Sequence, residues 1–139
     1  MTPQFRSRLA VFTVYAAALV HGLTVVSLPA SASVLKTLGH LSDAQYGAIF
    51  IPQMAATILG SLIATQLGAR AASGRVLALS LLCACVAECS LAFVPRGGGF
   101  RLALCAAFAT GLGFGLAAAP LNSLPRRLFP ARADAALVA

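Results

Sequence analysis

Four long apolar runs, at 9–29, 47–67, 76–94 and 102–121, are separated by short segments that hold every charged residue except Glu88. Each run is close to the ~20 helical residues needed to cross a hydrocarbon core about 30 Å thick. None alternates polar and apolar positions with a period of two, so helices are predicted and barrel strands are not. The pattern predicts an all-α integral membrane fold, a single domain over residues 1–139 with four transmembrane helices.

Composition sharpens this reading. The chain is 60% hydrophobic and 9% charged, with a mean hydropathy of +0.92. Soluble domains carry about a quarter charged residues, because they must present a wet surface. The formal charge of +7 does not point to nucleic acid, because the arginines are dispersed between apolar runs and the chain has no Trp. The expected surroundings are instead a lipid bilayer.

The placement of the basic residues predicts an orientation. Arg6 and Arg8, then Arg70 and Arg75, then Arg126, Arg127 and Arg132 fall on one side if all four runs span. Lys36, Arg96 and Arg101 fall on the other, partly offset by Asp43. The excess predicts a cytoplasmic N-terminus and tail. Rich alanine and arginine usage suggests a bacterial inner (plasma) membrane. Residues 30–32, Ala-Ser-Ala, follow the first run as a signal-peptidase site would. That run exceeds the roughly 7–15 residues of a signal-peptide core, so a retained helix is the better reading.

The connections carry a further pattern. Tyr46-Gly47 opens the second run, and QLGARAASGR at 66–75 closes it, with Arg70, Gly74 and Arg75 as its marked positions. The fourth run, with Gly111, Gly113 and Gly115 before Ala117–Ala119, leaves one helix side nearly bare. Gly111 and Gly115 form a small-xxx-small pair suited to close helix packing in lipid. Pro120 and Pro125 are expected to break or bend this helix near its end. In this order the features resemble the first four helices of the major facilitator superfamily, whose members commonly have twelve.

The resemblance implies a secondary carrier of a small solute, working by alternating access. It also implies a signature loop in which Gly74 and Arg75 match the closing positions and Arg70 lies near the first basic one. Ala71 stands in the Asp slot and Val76 replaces the second terminal basic residue, so the family's acidic partner in the latch between halves is missing. Residues 131–139 read as the start of a fifth helix. The chain is therefore expected to be a fragment or short form, completed by self-association or by the remaining transporter half.

Polar groups at membrane depth are costly and mark candidate sites. His21, Gln53, Glu88 and Thr110 fall one per run and are expected to form a shared layer. Secondary transporters place their binding sites near the midplane. Tyr15 is expected below His21 on the same cavity, and Asn122 at the cytoplasmic mouth. His21 and Glu88 are the proton-coupling candidates: the imidazole changes charge near neutral pH, and Glu88 is the one carboxylate inside a run. The resemblance favours His21 and Thr110 as solute contacts, because the family's first and fourth helices line its cavity.

Cys83, Cys85, Cys89 and Cys105 all lie in apolar runs and read as small apolar filler. No metal-ligand spacing, phosphate-binding glycine loop or Ser-His-Asp set is present, so no cofactor, metal or enzyme activity is expected. RGGGF at 96–100 reads as a flexible connection, and His40 and Asp43 as polar loop residues. Two other functions compete: a four-helix carrier similar to small multidrug-resistance proteins, acting as a proton-coupled dimer through Glu88, and a non-transporting membrane subunit that packs on a partner through the bare fourth-helix face.

Overall fold

The computed structural model describes the backbone of residues 3–68, 73–97 and 99–128, and the side chains of 10–67, 73–97 and 99–123. Six helices follow in order: α1 (Pro3–Ala30), α2 (Ala32–Thr37), α3 (Asp43–Ala48), α4 (Phe50–Gly68), α5 (Ser73–Phe93) and α6 (Gly99–Leu128). Four stretches are long and apolar enough to cross a membrane: Ala10–Ala30, Asp43–Leu67, Ser73–Arg96 and Gly99–Ser123. The chain is a multi-pass, all-α membrane bundle, and no strand occurs among the described residues.

The first observed span begins one residue after the expected one and the other three begin three or four residues before it, the largest difference having a local cause. Residues 43–46, expected as loop, belong to α3 because Ser42 and Gln45 make a capping box. The Ser42 hydroxyl accepts the Gln45 amide, and the Gln45 side chain accepts the Ser42 amide. The box is written in the sequence as Ser-Asp-Ala-Gln. Pro52 then divides α3 from α4, since it has no amide to give the Ala48 carbonyl and its ring crowds that oxygen. The remaining turn, after a 3-10 segment at Val94–Arg96, uses left-handed glycines at Gly97 (φ 103°) and Gly99 (φ 61°).

The fourth-run prolines do not break their helix: α6 continues through Pro120 and Pro125 to Leu128. Around Pro120, Asn122 donates to the Ala118 carbonyl and Ser123 to that of Pro120. Neither bond reaches the Leu116 carbonyl, which Pro120 leaves without its helical donor, and membrane helices tolerate such a proline through local adjustment and neighbouring helices. The candidate fifth helix at 131–139 lies outside the described residues, as do the side chains of Arg6, Arg8, Arg126, Arg127 and Arg132 and the whole of Arg70.

α6 is the centre of the bundle, packing against α4, α5 and α1, while α1 also packs against α5. Two periodicities build these seams. On α1 the buried positions are Val14, Ala17, His21, Thr24 and Leu28, and on α5 they include Leu77, Ser80, Ala84, Ala87 and Leu91. Both follow the alternating three-and-four spacing of a left-handed pair. On α4 the buried positions are Ala56, Gly60 and Ala64, and the α6 contacts fall at Gly111 and Gly115. That four-residue spacing of small residues suits close, right-handed packing.

The α4–α6 seam is at backbone distance. A Cβ on Gly111 would run into the Gln53 carbonyl, and one on Gly115 into that of Thr57. From the other side, a Cβ on Gly60 would sit 2.6 Å from the Leu112 carbonyl. Gly113 points the opposite way, where a Cβ would lie 2.9 Å from the Ser80 carbonyl of α5. Larger residues gather at the end that carries α2 and α3, where Leu28, Leu35, Ile49, Leu91 and Val94 pack with Ala103 and Ala107.

Gly111→Ala and Gly115→Ala are each expected to destabilise the bundle by about 1–3 kcal/mol through overpacking. Gly22→Ala is the control, because nothing lies within 4 Å of its added Cβ. Reversible unfolding in mixed micelles checks this, and equal stability of the three variants would contradict the close seam.

Candidate functional site

The polar residues of α1 and α5 meet across their shared seam. His21 is 2% exposed and its Nε2 lies 3.1 Å from the Oγ of Ser80, which is fully buried. The Ser80 hydroxyl donates to the Leu77 carbonyl at 2.7 Å. A serine has one proton to give, so the His21–Ser80 bond is closed by a proton on Nε2. His21 thus makes a helix-to-helix bond.

Further along the same seam, the Ser27 hydroxyl lies 2.8 Å from Glu88 Oε1 and 2.7 Å from the Thr24 carbonyl. Thr24 itself donates to the Val20 carbonyl. The two contacts, His21 with Ser80 and Ser27 with Glu88, advance together along both chains, so α1 and α5 run parallel.

This pairing takes Glu88 out of the expected layer. His21, Gln53 and Thr110 stay within about one helical turn of each other, since Gly111 and Gly113 of α6 meet Gln53 and Ser80 respectively. His21 is level with Ser80, and Glu88 is two helical turns, roughly 12 Å, further along α5. Depth counted from the ends of apolar runs assumed unstaggered helices, and the seam shows the stagger. Thr110 is 3% exposed and donates to the Ala106 carbonyl of its own helix. Gln53 is half-buried on α4, its carbonyl held against Gly111. No hydrogen bond joins any two of His21, Gln53, Glu88 and Thr110 among the described residues. α1 packs on α5 and α6, whereas Gln53 belongs to the α4–α6 seam, so α6 lies between them.

The remaining candidates are dispersed. Tyr15 is 50% exposed on the outside of α1, in a stripe with Phe12, Leu19 and Leu23. Gly74 and Arg75 are exposed in the first turn of α5. Asn122 is exposed and bonded to its own helix. Cys85, Cys89 and Cys105 are exposed, Cys83 is half-buried, and all four are free thiols. Among the described residues, no three His, Cys, Asp or Glu side chains gather to hold a metal.

The hollows lie away from the His21 level. A groove of about 220 Å³ runs between the α1–α2 junction and the end of α5, lined by Ser31, Val34, Leu35, Glu88, Leu91 and Pro95. A second, about 400 Å³, lies at the same end among Leu38, His40, Gln45, Val94 and Phe100. A third, about 250 Å³, opens at the other end beside Ser73, Val76 and Pro120. Within the bundle, every fully buried side-chain nitrogen or oxygen among the described residues has a hydrogen-bond partner.

Sequence reasoning missed three structural partners: Ser27, Ser80 and the hydroxyl of Tyr46. Tyr46 donates to the Leu28 carbonyl at 3.2 Å, serving one of the acceptors left open where α1 ends. Its ring meets Phe50 edge-on and lies 5.9 Å from the Lys36 ammonium. Lys36 in turn pairs with Asp43 at 2.6 Å. That hydrogen bond and the Asp43 charge raise the lysine above its ordinary value. The signal for Tyr46 was present, as a phenol at the polar end of an apolar run, where amphipathic rings collect.

Protein-family models, curated proteins and solved structures yield no match to this chain.

Tyr46→Phe is expected to cost about 1 kcal/mol, the worth of one hydrogen bond, read as a lower unfolding midpoint in micelles. Lys36 has a raised value in the fold, so its contribution is complete below lysine's ordinary range and is lost as pH rises through the raised value. Because this pair is solvent-exposed, Lys36→Met is expected to change stability less than Tyr46→Phe, and the reverse order would contradict the assignment.

Proposed function

We propose that the chain is the N-terminal portion, or a short form, of a secondary carrier of the major facilitator superfamily that moves a small solute by alternating access. The reading places it in a bacterial inner membrane with its N-terminus in the cytoplasm, and assigns it no enzymatic step and no cofactor. The observation that carries it is the order of features along a four-span bundle. Tyr46-Gly47 opens the second span, Gly74-Arg75 opens the third, and the fourth lies at the centre, with its glycines against the second and third spans and its helix also packed on the first.

Two structural features refine the proposal. α1 and α4 leave apolar stripes uncovered, Phe12, Tyr15, Leu19 and Leu23 on one and Ile51, Met54, Ile58 and Leu62 on the other. Lipid or further transporter helices cover them in this reading, and a solute path along α1 passes Tyr15. His21 and Thr110 are bonded inside the bundle, so they reach solute only when the α1 seams part. The subunit reading loses its proposed docking face, because α4 already fills the Gly111–Gly115 side of α6. The multidrug-resistance-like reading keeps one favourable observation, that Glu88 lines an open groove.

The complete gene product, reconstituted in vesicles with an imposed proton gradient, is to be tested on sugars, organic anions and cationic drugs. At least one solute is expected to accumulate, with Tyr15→Ala reducing uptake about tenfold, equivalent to ~1.4 kcal/mol of lost interaction. Failure of every solute to move, with the protein folded, would sink the carrier reading. Abolition of drug efflux by Glu88→Gln in a four-helix dimer selects the alternative. Reporter fusions after Arg75 and after Gly97 are expected on the cytoplasmic and opposite sides respectively.

A further inference from the structure

The outer side of the α5–α6 hairpin carries a groove of about 400 Å³ that takes no part in the polar seam between α1 and α5. Cys85, Val86, Cys89, Ser90 and Phe93 of α5 line it, together with Leu102 of α6. All six fall within the third and fourth spans, so the groove opens toward the hydrocarbon layer. It follows α5 from Cys85 to Phe93, about 12 Å of helix. Its walls are thiols, an aromatic ring and aliphatic carbons, with Ser90 as the one hydroxyl. Val86 and Phe93 are 51% and 57% exposed, so no described helix covers them.

Shape alone does not name what fills such a groove, but the charge at its end does. Arg96 closes the third span and Arg101 stands in the first turn of the fourth, at the level where span ends meet lipid headgroups. The Arg96 guanidinium lies 5.9 Å from the Phe93 ring, at the rim of the groove. One of its N–H groups donates to the Ala92 carbonyl at 2.8 Å, and the other donors of the fork remain to be used. Arg101 is exposed beside the groove residue Leu102 and makes no hydrogen bond or ion pair among the described residues. No described carboxylate neutralises this end of the hairpin. Asp43 is paired with Lys36, Glu88 is turned to Ser27 on the α1 side, and neither lines the groove.

From this coincidence of an apolar slot and two uncompensated guanidiniums we infer that the outer face of the α5–α6 hairpin binds one anionic glycerophospholipid. An acyl chain lies along Cys85–Phe93 against Leu102, and the phosphate meets Arg96 and Arg101. The groove gives the chain more atoms to touch than a flat helix face does. Any phospholipid brings a chain, so selection belongs to the arginines. Their planar forks suit phosphate oxygens, whereas a zwitterionic headgroup carries a cation of its own to the same place. A second copy docked symmetrically by this face would bring four arginines together with no acid between them. The site does not depend on the chain being a carrier, nor on which side of the membrane the hairpin faces.

Photolabelling of the full chain in phosphatidylcholine vesicles tests this. The vesicles are doped with a trace of phosphatidylglycerol or of phosphatidylcholine, each bearing a mid-chain diazirine, and the adducts are located by mass spectrometry. Each basic residue beside an anionic lipid is worth about fivefold in binding, so the two together predict a roughly twentyfold preference for phosphatidylglycerol at residues 85–93 and 102–105. No such preference is expected on the exposed α1 stripe at 12–23. Arg96→Gln and Arg101→Gln are each expected to lower the preference about fivefold. Arg75→Gln, which removes the same charge at the opposite end of α5, is expected to leave it unchanged. Equal labelling of 85–93 by the two lipids, or a preference that survives Arg96→Gln with Arg101→Gln, would overturn the site. So would replacement of lipid label there by contacts with a second copy, read as chain-to-chain adducts. If a variant does not fold, the wild-type comparison of the two lipids decides alone.

Discussion

Gly111, Gly113 and Gly115 let two neighbours approach α6 at backbone distance, and the rest of the bundle is arranged around that contact. In lipid, helices gain nothing by hiding apolar side chains from one another, so attraction depends on how many atoms touch. A bare helix side maximises those contacts with α4 through Gly111 and Gly115, and with α5 through Gly113. α1 then completes the group by packing against both α5 and α6. Large side chains are left for the α2 end and for the outside, where they meet lipid or further protein.

The second constraint is polar satisfaction. Thr57, Ser61 and Thr65 on α4 each donate to the carbonyl four residues back, and Thr110 does the same on α6. These hydroxyls are spent within their own helices and take little part in joining one helix to another. The α1–α5 seam differs, because His21 with Ser80 and Ser27 with Glu88 bond across it. It is therefore held in part by side-chain hydrogen bonds, whereas the α4–α6 seam is held by the close fit of small residues.

The ends of the bundle are organised differently again. At the α2 end, the capping box at Ser42, the phenol of Tyr46 on the Leu28 carbonyl and the Lys36–Asp43 pair tie the first connection to both spans. Tyr46-Gly47 thus has a physical reason to open the second span that is independent of any resemblance. The Gly74-Arg75 pair makes no comparable contact among the described residues, and both residues are exposed with open space around the glycine.

The class of fold was legible without coordinates, because runs of about 20 apolar residues have one stable arrangement in a bilayer, with backbone groups bonded inside helices. The small-residue pattern at Gly111 and Gly115 also announced a packing face, whereas the helix start at Ser-Asp-Ala-Gln was read as loop although its capping residues stand in the sequence. What the sequence could not determine was stagger and partnership. In a run where nearly every residue is apolar, burial leaves no periodic trace, so the inward stripe of Val14, Ala17, His21, Thr24 and Leu28 looks like its surroundings. Only the packed helices decide that His21 meets Ser80, that Glu88 lies two turns away beside Ser27, and that α4 fills the glycine face. Those choices depend on how far one helix slides past another, a distance fixed by contacts between residues some sixty positions apart.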